Sequence, residues 1–369
     1  MTASALQRTP LYDSQKSLGA RFVPYAGWEM PVQFQGIVTE HHAVRQSAGL
    51  FDVTHMGRLR VSGENAPLEV DRLVTNSVVQ TPIGRAVYGC CCNESGRILD
   101  DLICYRESDQ SIFIICNASN REKIRCHFEK ELPHTQCLED ISDNTGLLAL
   151  QGPRTFDILD AIGLDWARPL PKMAFAQGKF EGFPVTIACT GYTGERGVEI
   201  VCPRQTLKSI YENILRSGKR FELEPAGLGC RDTLRLEARL SLYGNEIDES
   251  IHPFEAGLGW TVKLDKPDFI GKSALVSFRR AIPERTLVGL EMLGRGVARH
   301  GYPVKNLEGT VVGHVTSGAP SPTLGKNIAL GYVPIAYATV GTTLSVDCRG
   351  KPIEAKVVPT PFYRRPPED

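Results

Sequence analysis

The sequence predicts an α+β protein that ends in a small domain built only of strands. Before residue 282, short apolar runs typical of strands alternate with stretches of helical periodicity. From Thr286 onward, short strand-like runs alternate with glycine and proline turns, a spacing typical of a small antiparallel barrel or sandwich. A chain of 369 residues is also too long for one ordinary core. We therefore predict an α+β region over residues 1–282 and a β-barrel-like domain over residues 283–369.

The charge balance argues against a polyanionic partner. Lys plus Arg and Asp plus Glu number 42 each, so we expect neither nucleic acid nor a membrane surface as a partner. No run approaches the roughly 20 apolar residues that cross a bilayer. The N-terminal segment lacks the apolar core of a secretory signal, and it is too short for a convincing transit peptide. These features predict a cytoplasmic protein.

The eleven cysteines contain no C-x-x-C pair, and most lie in apolar, strand-like runs. We therefore expect buried free thiols rather than disulfides or a zinc site. The consecutive Cys90, Cys91 and Cys92 could form a redox device, but strand packing is the preferred interpretation. His41 and His42 lack the spacing of a metal-binding helix, so no metal is predicted.

The N-terminal region begins with a predicted loop over residues 21–31, which contains two prolines and large aromatic anchors. A helix is predicted over residues 38–48, with Gly49 as its stop. His55 then leads into a strand through Leu59 and Val61. A second helix is predicted over residues 64–73.

The stretch YGCCCNESGRILDDLICY, residues 88–105, is typical of a β-hairpin. Asp100 and Asp101 begin its second apolar run. Successive side chains of a strand point to opposite faces, so one carboxylate faces inward and needs a hydrogen bond, a cation or a ligand. The alternative is that both carboxylates cap the turn and meet water.

The middle of the chain continues the alternation of strands and helices. Strands are predicted over residues 111–116, 146–150, 185–189 and 198–202, and helices over residues 120–132, 154–161, 205–216 and 269–280. Ser119 or Asn120 is the expected cap of the first of these helices. Glu199 lies inside the apolar strand VEIVC and also needs a partner, unless it is an edge-strand glutamate in water. The preceding TGYTGERG matches no nucleotide-binding motif.

Three arginines, Arg231, Arg235 and Arg239, are spaced by four within a predicted helix over residues 226–244. They would share one face, which either meets solvent or lines a cleft that accepts an anion. The solvated face is the preferred interpretation, although Arg231 could serve a ligand carboxylate. The following HPFEAGLGWTVKLDK is predicted to be a turn and a strand, with Trp260 as its large aromatic residue.

Many stretches together, in order along nearly the whole chain, resemble one family. They are TPLYDSQ, GARFVPYAGWEMPVQF, HHAVRQSAGLFDVTHMG, GRILDDLICY, LLALQGP, TGYTGERGVEI, PAGLGCRDTLRLEA, LYGNEIDE, HPFEAGLGWTVKLDK, FIGKSAL, GHVTSGAPSPTLGKNIALGYV and PFYRR. The chain is similar to the aminomethyltransferase (T-protein) family of the glycine cleavage system. Single blocks are shared with a wider group of folate-binding demethylases and oxidase domains.

The resemblance implies a three-domain cloverleaf around a central folate cavity, with the first two domains interleaved within residues 1–282. It implies a transferase that takes an aminomethyl group from the lipoyl arm of a carrier, the H-protein. The methylene passes to tetrahydrofolate and ammonia is released. Tetrahydrofolate is then a co-substrate, the lipoyl group belongs to the partner, and no metal is needed.

The resemblance also assigns residues. The second Asp of its DDL motif, Asp101 here, is the catalytic position, either as an electrostatic stabiliser or as a proton acceptor. The folate-binding positions that it implies are Met56, Tyr88, Asn117, Tyr192, Glu199, Arg231, Tyr363 and Arg364.

Two departures from the family pattern are visible. Many relatives have Gly-Gly where this chain has Gly96 and Arg97, and few have three cysteines at positions 90–92. Two alternatives are a related tetrahydrofolate-dependent demethylase and a non-catalytic folate-binding protein. The assembly factors among the latter carry a K-G-C motif that this sequence lacks, and Asp101 argues for catalysis.

Overall fold

The computed structural model describes residues 5–168 and 170–366, and their fold is mixed α+β. The chain divides into two compact units. The first contains the chain up to Asp71, Val78–Tyr88 and Leu102–Asp232. The second contains Arg72–Ser77, Gly89–Asp101 and the chain from Thr233 onward.

The helices and strands follow one another in a mixed order. The strands are β1 (Arg21–Tyr25), β2 (Trp28–Gln33), β3 (Ala48–Asp52), β4 (Gly57–Ser62), β5 (Ala86–Cys92), β6 (Ile98–Ser108), β7 (Ser111–Cys116), β8 (Cys137–Asp140), β9 (Thr145–Gln151), β10 (Phe175–Phe180), β11 (Phe183–Ala188), β12 (Gly197–Pro203), β13 (Leu223–Pro225), β14 (Arg285–Met292), β15 (Pro303–Lys305), β16 (Val311–Ser321), β17 (Lys326–Pro334), β18 (Thr343–Cys348) and β19 (Lys351–Val358). The helices are α1 (Tyr12–Ser17), α2 (Ile37–Gln46), α3 (Ala66–Asp71), α4 (Arg121–Glu131), α5 (Thr155–Ala161), α6 (Leu207–Gly218), α7 (Leu228–Glu237) and α8 (Lys272–Arg280). None of the helices in the described residues is long and apolar enough to cross a membrane.

The first unit contains a six-stranded sheet in the order β10-β11-β12-β9-β3-β13. Its pairs are antiparallel except for β13, which runs parallel to β3. Leu148, Leu150 and Ile200 of this sheet are buried in one cluster with Ile210 and Ile214 of helix α6. The strand order also shows that β12 is an inner strand, between β11 and β9.

A second sheet has five strands in the order β5-β6-β7-β4-β8. The predicted hairpin is confirmed as β5 and β6, and the division between the two units falls within both of its strands. Its turn is closed by the Asn93 amide, which donates to the carbonyl of Arg97 at 2.9 Å. Gly96 adopts φ +72°, a left-handed conformation that glycine adopts without steric cost.

The second unit contains a closed six-stranded barrel in the order β14-β17-β16-β15-β18-β19. Its core includes the fully buried Leu290, Val304, Val315, Leu344 and Ala355. The expected α+β class and C-terminal barrel are both confirmed. Short strands between glycine and proline turns were a sufficient signal, although only β18 and β19 alternate regularly and residues 328–333 of β17 are all buried.

Residues 21–31 form strands β1 and β2 rather than the predicted loop. Ala26 and Gly27 have φ of 48° and 82°, so they form the two-residue turn that joins the strands of a tight hairpin. The two prolines are tolerated because this sheet has only two strands and each strand is therefore an edge.

Gly49 does not stop helix α2, which ends at Gln46. The glycine lies within β3, where an added Cβ would come within 2.3 Å of Cγ2 of Val44. Its small size therefore serves close packing. Asn120, one of the two predicted caps, occupies the N-cap position of helix α4, but it makes no side-chain capping bond.

The predicted strand after residue 252 is absent from the described structure, and Gly259–Thr261 form a short 3₁₀ helix instead. Helix α7 ends at Glu237, earlier than predicted, and Arg239 has φ +57°. Arg239 therefore does not continue the row of Arg231 and Arg235. The strands β3, β8, β10, β13 and β15 were not predicted.

Candidate functional site

Glu199 is a buried carboxylate on the inner strand β12, with 7% of the residue exposed. The Thr190 hydroxyl donates to its Oε2 at 2.5 Å, and the Tyr105 hydroxyl donates to the same oxygen at 3.5 Å. The alternative of an edge-strand glutamate in water is therefore wrong. Burial, followed by the charge of Glu199, raises the pKa of Tyr105 well above its usual value, so this hydroxyl remains a donor.

The loop between β11 and β12 carries Tyr192 and is fixed from two sides. The Gln151 amide donates to the carbonyls of Thr190 and Val198 at 3.1 and 3.2 Å, and its oxygen accepts from the Thr193 hydroxyl at 2.9 Å. From the other side, Arg45 contacts the carbonyl of Thr193 and the carboxylate of Glu195, both at 2.8 Å.

Neither Gln151 nor Arg45 was identified from the sequence. No local motif marks them, because these partners lie 39 to 150 residues away along the chain.

Tyr192 and Arg231 contact each other in the first unit. The Cζ of Arg231 lies 4.6 Å from the centre of the Tyr192 ring, a cation–π arrangement. The Nη1 of Arg231 is buried and has no hydrogen-bond partner among the described residues. A guanidinium with an unused buried donor is suited to an acceptor atom of a ligand.

Arg235 does not share the environment of Arg231. It is 1% exposed, its Nη1 pairs with Oε2 of Glu246 at 2.8 Å, and its Nη2 donates to the Ser317 hydroxyl at 2.7 Å. The predicted solvated arginine face is therefore wrong. Sequence spacing identified the shared helix, whereas the acid that pairs with Arg235 comes from the segment after the helix.

His55 and Met56 lie in the turn between β3 and β4. Arg58 holds this turn because its Nη1 donates to the carbonyls of Thr54 and Met56 at 3.0 and 2.7 Å. His55 is 3% exposed, its ring meets Tyr25 edge-on at 5.6 Å, and its Nδ1 has no partner among the described residues. Burial, then Arg231 and Arg58, lowers the pKa of His55 to about 3, so the ring is neutral at physiological pH.

The two aspartates of the hairpin have different environments, as the strand alternation predicts. Asp100 is 0% exposed, whereas Asp101 is half-buried. The alternative in which both carboxylates meet water is therefore wrong for Asp100. Asp101 retains the access that a group acting on a substrate needs.

The other predicted site residues are Tyr88, Asn117, Tyr363 and Arg364. Tyr88 lies on β5 and Asn117 directly after β7, and both are half-buried. The amide of Tyr363 donates to the carbonyl of Glu237 at 3.0 Å, which fixes the chain at the end of the barrel, while Arg364 is exposed.

These residues are distributed over the two units. The first unit brings together Tyr192 and Arg231 and contains Met56, Tyr88, Asn117 and Glu199; the second contains Asp101, Tyr363 and Arg364.

Two further features bear on binding chemistry. No group of three or more His, Cys, Asp or Glu side chains in the described ranges could hold a metal ion. A groove of about 550 Å³ in the first unit is lined by Pro10, Asn144, Pro203, Arg204 and Gln205. None of the predicted site residues lines this groove, so we do not associate it with the site.

Comparison with known proteins defines the class. Residues 11–266 match the family model described as GCVT N-terminal domain, and residues 285–364 match that of the glycine cleavage T-protein C-terminal barrel domain. The chain belongs to the glycine cleavage T-protein family. The resemblance seen in the sequence is therefore confirmed.

Individual relatives cover nearly the whole chain. An aminomethyltransferase of Desulforamulus reducens is 44% identical over 98% of this chain and 99% of its own length. One of Symbiobacterium thermophilum is 45% identical over 98% of each chain. The crystal structure of the glycine cleavage system aminomethyltransferase T from Bartonella henselae is 34% identical, has a TM-score of 0.92, and covers 97% of this chain and 98% of its own.

Proposed function

We propose that this protein is the transferase that moves the methylene of an aminomethyl group from a lipoylated carrier, the H-protein, to tetrahydrofolate. The products are 5,10-methylenetetrahydrofolate, ammonia and the dihydrolipoyl carrier. The observation that carries this proposal is the family match over the whole chain, with relatives that are named aminomethyltransferases at 43–45% identity. The cloverleaf around a central folate cavity and a cytoplasmic location belong to the same proposal.

Asp101 is the proposed catalytic residue. N5 of the folate attacks the methylene as an amine leaves, so positive charge develops on the methylene carbon and the nitrogens. The two hydrogens lost from N5 and N10 complete the leaving thiol and ammonia. A fixed anion near the developing cation stabilises it, and the same carboxylate could accept a proton that lies within hydrogen-bond reach.

Glu199 is the proposed anchor of the pterin. A carboxylate on a rigid inner strand, oriented by the Thr190 and Tyr105 hydroxyls, can accept from the N–H groups at the polar edge of the pterin. Tyr88, Tyr192, Asn117 and Met56 would line the pterin pocket, and Arg231 would meet the acidic side of the folate. Tyr363 and Arg364 would close the pocket. We propose that all of these residues contribute to one folate site.

The overall reaction is tested by measuring ammonia release from the aminomethyl-lipoyl carrier with and without tetrahydrofolate. We expect release that depends on tetrahydrofolate and on the carrier. Release at an unchanged rate without tetrahydrofolate would overturn the proposal. Formation of a methylated folate from a methylated amine without any carrier would indicate a demethylase instead.

The assignment of Asp101 is tested with Asp101→Asn, which keeps the shape and removes the charge. We expect kcat to fall about a hundredfold or more, while tetrahydrofolate binding measured by calorimetry stays close to that of the wild type. Asp109→Asn is the matched control, because Asp109 is exposed just beyond the end of the same strand. A wild-type rate in Asp101→Asn would refute the assignment.

A further inference from the structure

Arg97 follows Gly96 in the hairpin turn, and the turn does not need its side chain. The turn is closed by Asn93, whose Oδ1 accepts from the Ser95 hydroxyl at 2.7 Å and from the amide of residue 97 at 3.0 Å. The left-handed position is occupied by Gly96. Position 97 contributes only backbone atoms to the turn, so the turn needs an amide N–H there but not the arginine side chain.

The Arg97 side chain clamps the tip of the hairpin onto a neighbouring segment of the second unit. Its Nη1 donates to the carbonyl of Ser250 at 2.9 Å and approaches Oε2 of Glu255 at 3.5 Å. Its guanidinium also lies 5.0 Å from the ring centre of Phe278 on helix α8. That ring in turn stacks on His252, with 4.2 Å between ring centres and 15° between planes.

Glu255 extends this clamp to the first strand of the barrel. Its Oε1 lies 3.7 Å from Nε of Arg285, the first residue of β14, and its carbonyl accepts from the Leu287 amide at 3.0 Å. The Glu255 side chain is only 10% exposed. Two arginines from different elements therefore meet one buried carboxylate, which fixes the hairpin tip relative to the barrel strand within the same unit.

The strand that leaves the tip is held at its first residue. The Ile98 amide donates to the carbonyl of Ile251 at 3.0 Å, and its carbonyl accepts from the Tyr243 hydroxyl at 3.4 Å. Asp101 follows three residues later, about 10 Å along the strand at the usual rise per residue. Strand β6 is hydrogen-bonded to its neighbours, so its backbone cannot bend freely between Ile98 and Asp101. A shift of Ile98 therefore also shifts Asp101.

We propose that Arg97 is a positioning residue for Asp101. It holds the hairpin tip on the segment of Ser250 and Glu255, and the strand transmits that position to the Asp101 carboxylate. The inference rests on the proposed function, because it needs Asp101 to be the catalytic group. A charge about 10 Å away and in contact with water is largely screened, so position rather than direct electrostatics carries the effect. The reaction rate of an enzyme falls when a catalytic group is displaced by even a fraction of an ångström.

The first test compares Arg97→Met and Arg97→Lys with the wild-type enzyme. Methionine keeps most of the apolar stem and removes the hydrogen bonds, whereas lysine can still donate to the Ser250 carbonyl. We expect Arg97→Met to lower kcat about threefold to tenfold with KM for tetrahydrofolate within about twofold, and Arg97→Lys to recover part of the loss. The control is Arg125→Met, an arginine that is paired with two acids on the surface of helix α4.

The second test separates positioning from a general loss of stability. In the Asp101→Asn background, Arg97→Met should cause no further fall in the single-turnover rate, because two residues that act through one group are not additive. Hydrogen exchange of the amides from Ile98 to Asp101 should accelerate in Arg97→Met and remain unchanged in Arg125→Met. This measurement requires no enzyme activity.

Several results would overturn the inference. One is a wild-type kcat in Arg97→Met, and another is a loss that appears only in KM. A third is the same fold loss of rate from Arg97→Met in the wild type and in Asp101→Asn. The last is unchanged amide exchange in Arg97→Met. A large loss in Asp101→Asn with none in Arg97→Met overturns this inference and leaves the proposed function intact. Full activity in Asp101→Asn would show that Asp101 is not catalytic, and this inference would fall with it. The absence of tetrahydrofolate-dependent turnover in the wild type would overturn the proposed function itself.

Discussion

Glu199 combines burial with a small number of fixed hydrogen bonds. Both hydroxyls that contact it, from Thr190 and Tyr105, donate to Oε2, so that oxygen is oriented by the protein. A carboxylate has about four acceptor positions, which leaves capacity for the donors of a ligand. Strand β12, on which it lies, is hydrogen-bonded to a strand on each side, so the fold holds the carboxylate in place before any ligand binds.

We predict that Glu199→Gln weakens tetrahydrofolate binding about tenfold to a hundredfold, the range of a lost charged hydrogen bond. The amide keeps the shape but loses the charge and one acceptor. Titration calorimetry measures the dissociation constant, and Glu139→Gln, an exposed glutamate on β8, serves as the control. An unchanged dissociation constant in Glu199→Gln would remove Glu199 from the site.

His55 is neutral because it is buried and lies near two arginines. Burial is the largest cause of its lowered pKa, and Arg231 and Arg58 contribute in the same direction. The unfolded chain exposes the same imidazole to water, where its pKa is about 6.5. The folded state thus binds fewer protons than the unfolded state at pH values between about 3 and 6.5.

We predict that His55 makes the protein less stable as the pH falls below about 6.5. The unfolded state gains a proton in this range and the folded state does not, so the free energy of unfolding falls by at most about 1.4 kcal/mol per pH unit from this group. Urea unfolding between pH 7.5 and 5 measures the slope. His55→Gln should flatten it, and the exposed control His134→Gln should not; equal slopes would contradict the prediction.

At the scale of elements, a buried ion pair ties the end of helix α7, residues 233–237, to the barrel within the second unit. Arg235 of the helix and Glu246 are 1% and 0% exposed, and Glu246 also accepts from the Thr316 hydroxyl of β16 at 2.7 Å. The Tyr332 hydroxyl of β17 donates to the Glu246 carbonyl at 2.7 Å. With all these bonds made, the pair fixes that end of the helix relative to two strands of the second unit.

We predict that Glu246→Gln destabilises the second unit by about 3 kcal/mol, because it leaves the buried Arg235 charge without its counter-ion. The double variant Arg235→Met with Glu246→Leu should lose less than the single variant, since no unpaired charge remains. Denaturant unfolding gives the comparison. The control Glu291→Gln, at a surface pair with Lys326, should cost less than about 1 kcal/mol; a similar cost for the two glutamates would contradict the argument.

Across the whole molecule, most of the cysteines act as packing residues. None of the eleven forms a disulfide, and eight of them, including Cys90, Cys91 and Cys92, are buried. Burial is the main cause that raises the pKa of Cys90 and Cys92 well above the usual value and that of Cys202 to about 11. The redox alternative for residues 90–92 finds no support, because a reactive thiol is accessible and has a lowered pKa.

We predict that a thiol reagent modifies only the exposed Cys126 and Cys137 rapidly in the folded protein, and the half-buried Cys348 more slowly. All eleven should react in denaturant. Mass spectrometry of the labelled peptides identifies the sites. Rapid modification of Cys90, Cys91 or Cys92 under native conditions would show that this strand opens readily.

Sequence reasoning identified most elements of the fold for a clear physical reason. Strands β7 and β9 are short continuous apolar runs that are buried on both faces, whereas helices α5 and α6 each bury one apolar face. Both signals are local in the sequence. The same reasoning failed where the decisive contact was distant or where a turn was overlooked. Residues 21–31 were predicted to be a loop because their prolines are conspicuous, whereas the positive φ at Ala26 and Gly27 makes them a hairpin.

For the candidate site, the sequence supplied residue types and the structure supplied partners. The family blocks identified Asp101, Glu199 and Arg231, and the strand alternation separated Asp100 from Asp101. No pattern could reveal that Gln151 and Arg45 fix the loop of Tyr192, or that Arg97 clamps the hairpin. Those contacts join residues far apart in the chain, so they exist only after folding.

The sequence by itself determined the α+β class, the barrel, the family and the hairpin that carries Asp101, because these depend on local periodicity and on ordered motifs. Only the tertiary structure decided which charges are buried and what meets them. Arg235, predicted to face solvent, is paired with Glu246, and Glu199 accepts from two hydroxyls. The physical reason is that a buried charge is stable only with partners at hydrogen-bond distance, and folding brings those partners together from distant parts of the chain.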